Sequence, residues 1–228
     1  MQFLALDSST DLGSVALWRD GVVTERFCAP GQPSSATLLP LVAEMLRAAG
    51  LCFADLDAIA FGAGPGSFTG LRVACGVAQG LAFAHGKPVL PVGTLDAMAH
   101  AASSSGASRV VVCLDARMNE VYSGLFVEGA AVSPVGVHAP AQVPLPEAGE
   151  WVAAGNAMVA YPVLHERLVP VVSGFLDGVM PTAAAVAALA APRLARGEGI
   201  RAAEAVPVYV RDKVALTVAE RLAQGGKA

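Results

Sequence analysis

The chain has 228 residues, 54% of them hydrophobic, with a net charge of −4 and a pI near 5.5. That length suits one large domain or two small lobes, and the acidic balance argues against a stand-alone nucleic-acid binder, which needs a basic footprint. Mean hydropathy is +0.56, yet no run of about 18 apolar residues escapes charge, glycine or proline, and Asp7 comes too early for a signal peptide. A cytoplasmic protein without membrane contact is expected.

Cys28, Cys52, Cys75 and Cys113 are far apart and form no CxxC pair, which fits reduced thiols better than a disulfide frame or a zinc site. His85, His100, His138 and His165 are equally scattered, without HExxH or HxxxH spacing. A histidine metal site is not expected.

The chain opens as an antiparallel meander. Leu4 and Leu6 lie on one strand and Val15 to Trp18 on the next, with the turn chemistry of "SSTDLG" between them. "RDG" is a tight turn and "VVTERF" a third strand. From Ala36 to Gly50 the period changes: apolar residues at 38, 39, 42, 45, 46 and 49 make a helical stripe. Ser35 or Thr37 is placed to cap this helix, Gly50 to end it, and Pro40 is expected in its first turn. "LDAIAFG" reads as a strand, "SFTGLRVACGVAQGLAFAHG" as a helix ending at Gly86, "PVLPVG" as a strand and "TLDAMAHAASSS" as a helix.

A shift of 108 residues sets Asp7 on Asp115, Leu17 on Leu125, Trp18 on Phe126, Asp20 on Glu128 and Gly21 on Gly129. Five matches at one offset, each within a pattern of strand, Asp-led turn, strand and glycine, predict two copies of one unit. The second copy is looser. A proline-rich connection runs from His138 to Glu150; "EWVAAGNAM" is a strand entering a glycine turn; "PTAAAVAALAAPRLARG" is a helix and "AVPVYVR" a late strand. A βββαβαβα unit occurring twice is an α/β fold of the actin-like (RNase H-like) or sugar-kinase-like kind. Lobes are expected over 1–105 and 106–228, the last segment being free to return to the first lobe.

That architecture makes "GAGPGSFTG" a candidate phosphate loop. Free N–H groups at a strand-to-helix junction and the helix dipole both attract anions. The candidate phosphate or nucleotide contacts are Asp7, Ser8 and Ser9 on the first hairpin and Gly64, Gly66, Ser67 and Thr69 on the loop. No GK[ST] follows, so this is not a Walker loop, and the nearest cation is Arg72. The same residues also suit a plain turn: glycines permit close backbone packing, Ser67 caps the helix and Asp7 caps its own turn. Phosphoryl transfer needs a metal-holding carboxylate, a cation for the phosphates and a positioned base. Asp7 and Asp115 could supply carboxylates, but the second lobe offers only Gly155 as a glycine turn. No catalytic group is therefore assigned. Ser8, Ser9, Ser67 and Ser103 to Ser105 have no nearby histidine to make one a nucleophile.

The helix after the loop carries two lines of small residues, Gly70–Ala74–Ala78–Ala82 and Gly76–Gly80. Small residues admit a second backbone, either this protein's own sheet or a partner helix.

"LALDSST", "SVALWRDG", "GPGSFTGLRV", "AQGLA", "LDARMNEVY" and "PVYVR" occur in an order and spacing that resembles the TsaB (YeaZ) family as far as Arg211. The resemblance implies a two-lobed, non-catalytic subunit of bacterial tRNA threonylcarbamoyladenosine synthesis. It implies a TsaD-like catalytic partner carrying the metal, a TsaE-like ATPase, and a homodimer that uses the same surface in the partner's absence. Strong direct tRNA binding is not implied. No metal or cofactor is required, and a nucleotide at the shared interface is left open. The partner surface is expected on the first-lobe helices at Leu39, Val42, Leu46, Arg72, Val73, Gly76 and Gly80. Family members often have a histidine before "LLP", where this chain has Ser34 and Ser35. The alternative reading is a stand-alone actin-like ATPase or kinase, or a peptidase.

Overall fold

The computed structural model describes residues 1–147 and 149–211. The first sheet has β1 (Gln2–Asp7) at its centre. β2 (Ser14–Arg19) and β3 (Val22–Phe27) continue it antiparallel on one side, and β4 (Ala58–Gly64) and β5 (Val89–Gly93) lie parallel on the other, in the order β3-β2-β1-β4-β5. The second sheet contains β6 (Arg109–Arg117), β7 (Glu120–Val127), β8 (Ala130–Ala131), β10 (Val152–Ala154) and β11 (Gly174–Leu176), in the order β11-β10-β6-β7-β8, with β9 (Gly136–His138) also pairing β7. In each sheet the first strand is central, antiparallel to the strand that follows it and parallel to its other neighbour, β4 in the first sheet and β10 in the second. The repeat seen at an offset of 108 is a repeat of topology, and the fold is the actin-like one.

The two copies differ at the hairpin that carries the aspartate. In the first, Asp7 pairs Ser14 and a six-residue loop, Ser8 to Gly13, separates the strands. In the second, β6 runs on past Asp115 through a bulge to an Arg117–Glu120 pair, and the turn is only Met118–Asn119. Arg117, Met118 and Asn119 all take positive φ, 59°, 56° and 59°. That is the twist a two-residue hairpin demands. The Asp-led turn is kept, since Asp115 Oδ1 accepts the Arg117 N–H as Asp7 Oδ1 accepts that of Ser9, but in the second copy it leads into a shorter loop.

Both faces of each sheet are covered. α1 (Ser34–Ala49) and α2 (Phe68–His85) bury Leu38, Val42, Met45 and Leu46, and Leu71, Ala74, Cys75, Ala78 and Ala82, against one face of the first sheet. α6 (Ala183–Ala195) covers the other face, packing its alanines on Phe3, Ala5 and Leu90. Two of its free N–H groups are taken by the first lobe, Ala183 N donating to Ser14 Oγ at 2.7 Å and Ala184 N to Glu25 Oε1 at 2.8 Å, and Thr182 caps the next. These bonds cap the helix and dock it at once. α3 (Thr94–Ser104) packs on the second sheet. α4 (Ala157–Ala160) and α5 (Pro162–Leu168) cover that sheet's far face.

Three further expectations are corrected. The cap of α1 is Pro33, without a side-chain bond, and the helix starts at Ser34, so Pro40 lies in the second turn. Thr37 Oγ1 instead donates back to the Pro33 carbonyl at 3.2 Å. The short α4 and α5 and strand β11 were hidden by "AYPV" and by weak periodicity. "AVPVYVR" is no strand: a 3-10 turn over Ala202–Glu204 leads into an irregular segment ending at Arg211. Pro207 lacks the N–H that a ladder needs.

Gly64 and Gly155 close the equivalent strands of the two sheets with φ of +123° and +120°. A Cβ at Gly64 would overlap the Val208 carbonyl, and one at Gly155 the Cys113 carbonyl. Gly64→Ala and Gly155→Ala should each cost about 2 kcal/mol or more, from backbone strain plus overlap. Gly76→Ala, which has open space at its Cβ, should gain up to about 1 kcal/mol of helix propensity. Urea denaturation of the three variants measures the contrast.

Candidate functional site

A cleft of about 440 Å³ lies between the lobes. Ser9, Thr10 and Asp11 of the first hairpin line it, with Gly66, Ser67 and Thr69 of the glycine loop and Asp115, Arg117, Asn156 and Arg211 from the far side. The strand-to-helix junction forms as the sequence suggests. Ser67 is the N-cap of α2, and its hydroxyl accepts the Gly70 N–H at 3.3 Å. Ser8, Ser9, Gly64 and Gly66 are brought together with it, but by contact with one another. A Cβ at Gly66 would overlap the Ser9 carbonyl, and one at Gly70 the Ser8 carbonyl. Ser67 N donates to Ser9 O at 2.7 Å, and Ser8 Oγ donates to Gly70 O at 2.7 Å. The loop glycines serve the approach of one backbone to another. Thr69 is exposed at the start of α2.

Asp7 does not line the cleft. It is fully buried; its Oδ1 accepts the Ser9 N–H at 3.0 Å and the Ser9 hydroxyl at 2.8 Å, so it caps its own turn. Its Oδ2 faces Gly62 and has no partner. Asp115, its counterpart, accepts from Arg117 N at 2.8 Å and from the Tyr161 hydroxyl at 2.7 Å, while its own N–H is held by Asn156 Oδ1. Arg117 reaches Asp11 across the cleft at 2.8 Å, but both side chains are well exposed, a setting where an ion pair contributes little. The cleft's polar groups are thus largely taken up by internal bonds. Arg72, the cation nearest the loop, is also engaged: its guanidinium lies 3.6 Å from the Phe68 ring centre and its Nε donates to the Tyr209 hydroxyl at 3.0 Å. Among the described residues, no cluster of three His, Cys, Asp or Glu side chains could hold a metal, and no helix is long and apolar enough to cross a membrane.

The two lines of small residues on α2 separate cleanly. Gly70, Ala74, Ala78 and Ala82 are buried against the sheet, whereas Gly76 and Gly80 are exposed with nothing near a Cβ built on either. Arg72 is exposed and Val73 half-buried beside them. Leu39 of α1 is 48% exposed, but Val42 and Leu46 are buried in the core. Those two point at the sheet and leave the candidate surface. Phe83, missed in the sequence, joins it: at 80% exposure it stands beyond Gly76 and Gly80 near the end of α2.

Burial raises the Asp7 pKa from 3.8 to about 6, against the opposing Ser9 bonds, and the Glu25 carboxylate adds a smaller upward push. The folded state therefore holds the proton more tightly than the unfolded chain. The stabilisation from this group is full below pH 3.8 and is lost as pH rises through about 6, a swing of about 3 kcal/mol by pH 7. Asp7→Asn should be more stable than the native chain at pH 7.5, by on the order of 1–3 kcal/mol, and should lose the decline between pH 4 and 6. Denaturant midpoints across that range measure it.

A family model described as "TsaD: tRNA N6-adenosine threonylcarbamoyltransferase" matches residues 31–136. The chain is 36% identical over 231 aligned residues to "tRNA threonylcarbamoyladenosine biosynthesis protein TsaB" of Escherichia coli, covering 94% of this chain and 96% of that protein. It is 45% identical over 137 residues to the protein of the same name from Haemophilus influenzae, covering 60% and 58%. Among solved structures, YeaZ from Pseudomonas aeruginosa superposes with a TM-score of 0.81 at 38% identity, covering 91% of this chain and 99% of that one. With nearly full mutual coverage at this identity and the same two-lobed topology, the chain belongs to the TsaB (YeaZ) family.

Proposed function

We propose that the protein acts in tRNA threonylcarbamoyladenosine biosynthesis as a non-catalytic subunit. It binds a TsaD-like catalytic partner through α1 and α2, works beside a TsaE-like ATPase, and pairs with itself through the same surface when the partner is missing. The observation that carries this reading is the free face of the two helices. Leu39 of α1 and Phe83 of α2 are exposed, Val73 is half-buried, and Gly76 and Gly80 leave open space where a Cβ would stand. A helix packed only on its own sheet has polar residues opposite its buried stripe; α2 carries little there besides Arg72, Gln79 and His85. A matching helix pair would bury this face, and an isologous homodimer would compete for it.

The site speaks against the ATPase or kinase reading on geometry. The aspartate that would face a phosphate is buried under Gly62, and the Ser67 N–H of the loop is taken by the Ser9 carbonyl of the first hairpin. tRNA contact is then left to the partner, in keeping with the net charge of −4.

Gly76→Arg and Gly80→Arg put a long cation into open solvent in the monomer. Each should melt at or above the native temperature, since arginine is a better helix former than glycine. Each should weaken co-purification with the TsaD-like protein at least about tenfold, because the charge would be buried without a counterion. Undiminished pairing by both variants would place the interface elsewhere. The purified protein should also hydrolyse no ATP and no peptide above buffer; turnover lost in Asp7→Ala would favour the enzyme reading instead.

A further inference from the structure

We propose that Ala205–Arg211 is an interlobe strap, which occupies the glycine loop as an internal ligand and latches the two lobes at one opening. It begins on the first lobe. The buried Ala205 carbonyl accepts the Gln79 amide at 2.8 Å and the Cys75 thiol at 3.5 Å, both from α2. It then crosses the loop. Val208 N donates to the Ala63 carbonyl at 2.7 Å, and the Val208 carbonyl lies over the bare Cα of Gly64. Tyr209 follows, with its ring 5.6 Å from Phe68 and its hydroxyl held by Arg72. The strap ends on the second lobe. Arg211 Nη2 donates to the Ala116 carbonyl at 2.9 Å and pairs with the Glu120 carboxylate, with the guanidinium over the Tyr122 ring.

The Arg211 side chain is only 15% exposed, so its bonds act where water screens them less than at the surface. The direct ion pair between the hairpin tips, Arg117 to Asp11, is solvent-exposed and is a weak substitute. The strap therefore carries the interlobe restraint at the cleft mouth, and the Ala63 carbonyl and the face of Gly64 become accessible only when it lifts. A two-lobed fold hinged at its cleft changes opening by rotation of its lobes, and Arg211 is the latch on that rotation.

The test places spin labels on Thr24→Cys in the first lobe and Glu166→Cys in the second, both exposed, in a Cys52→Ser chain whose remaining thiols are buried. Interlobe distances are read by pulsed dipolar spectroscopy. In parallel, hydrogen exchange is read at the Val208 amide. Arg211→Ala should broaden the distance distribution and shift its mean, and should speed Val208 exchange at least about tenfold. Glu120→Gln, which keeps the Ala116 bond, should fall between, and Arg211→Lys should restore much of the native distribution. Circular dichroism and melting confirm that each variant is folded. Native distances and native Val208 exchange in folded Arg211→Ala would overturn the proposal. So would loss of Val208 protection without any change in interlobe distance, since the strap would then restrain only itself.

Discussion

Contact of backbone with backbone at the glycine loop is the constraint on which the rest of the structure depends. Three separate stretches meet there: the first hairpin at Ser8 and Ser9, the loop from Gly62 to Gly70, and the strap at Val208. None of these approaches leaves room for a side chain on the loop. The polar groups they bring inside are paired with one another, as burial requires. Asp7 Oδ2, beneath the loop, has no partner, and burial dominates the pKa of that carboxylate. A loop of this composition could have held a phosphate. Here Val208 lies over Gly64, and Ser9 and Ser8 lie over Gly66 and Gly70, while Gly66, Ser67 and Thr69 still line the cleft.

From that packing the division of labour on α2 follows. The helix starts where the loop ends, so the Ser67 cap and the contact at Gly70 set its position over β4. With Gly70, Ala74, Ala78 and Ala82 turned inward, the 3.6-residue period puts Gly76 and Gly80 outward. The same helix thus serves the core on one face, the strap through Cys75 and Gln79, and open space at Gly76 and Gly80 on another.

The sequence made much of this architecture legible, because duplication leaves two copies of the same pattern. The alignment of Asp7 with Asp115 and of Gly21 with Gly129 anticipated two sheets of matching order. It did not anticipate that the second hairpin would close over Met118–Asn119, because a bulge beyond Asp115 changes the pairing without disturbing the pattern. The site was less legible. "GPGSFTG" shows that something approaches closely, not what approaches. Val208, which lies over Gly64, is far away along the chain, and its segment alternates like a strand. On α1 the apolar stripe contains both Val42, turned inward, and Leu39, turned outward. Periodicity identifies a face only when the rest of the helix is polar, and on this helix it is not. Phe83 was passed over because a single aromatic at a helix end carries no pattern at all.

The most direct measurement of this account is a titration of the ¹⁵N-labelled protein with Mg·ATP, following the amides of Gly64, Gly66 and Gly70. If the loop is packed against the first hairpin and the strap, those three resonances should stay in place to millimolar nucleotide. A saturable shift of Gly66 and Gly70 together would contradict the account, because it would show the loop amides free to bind phosphate.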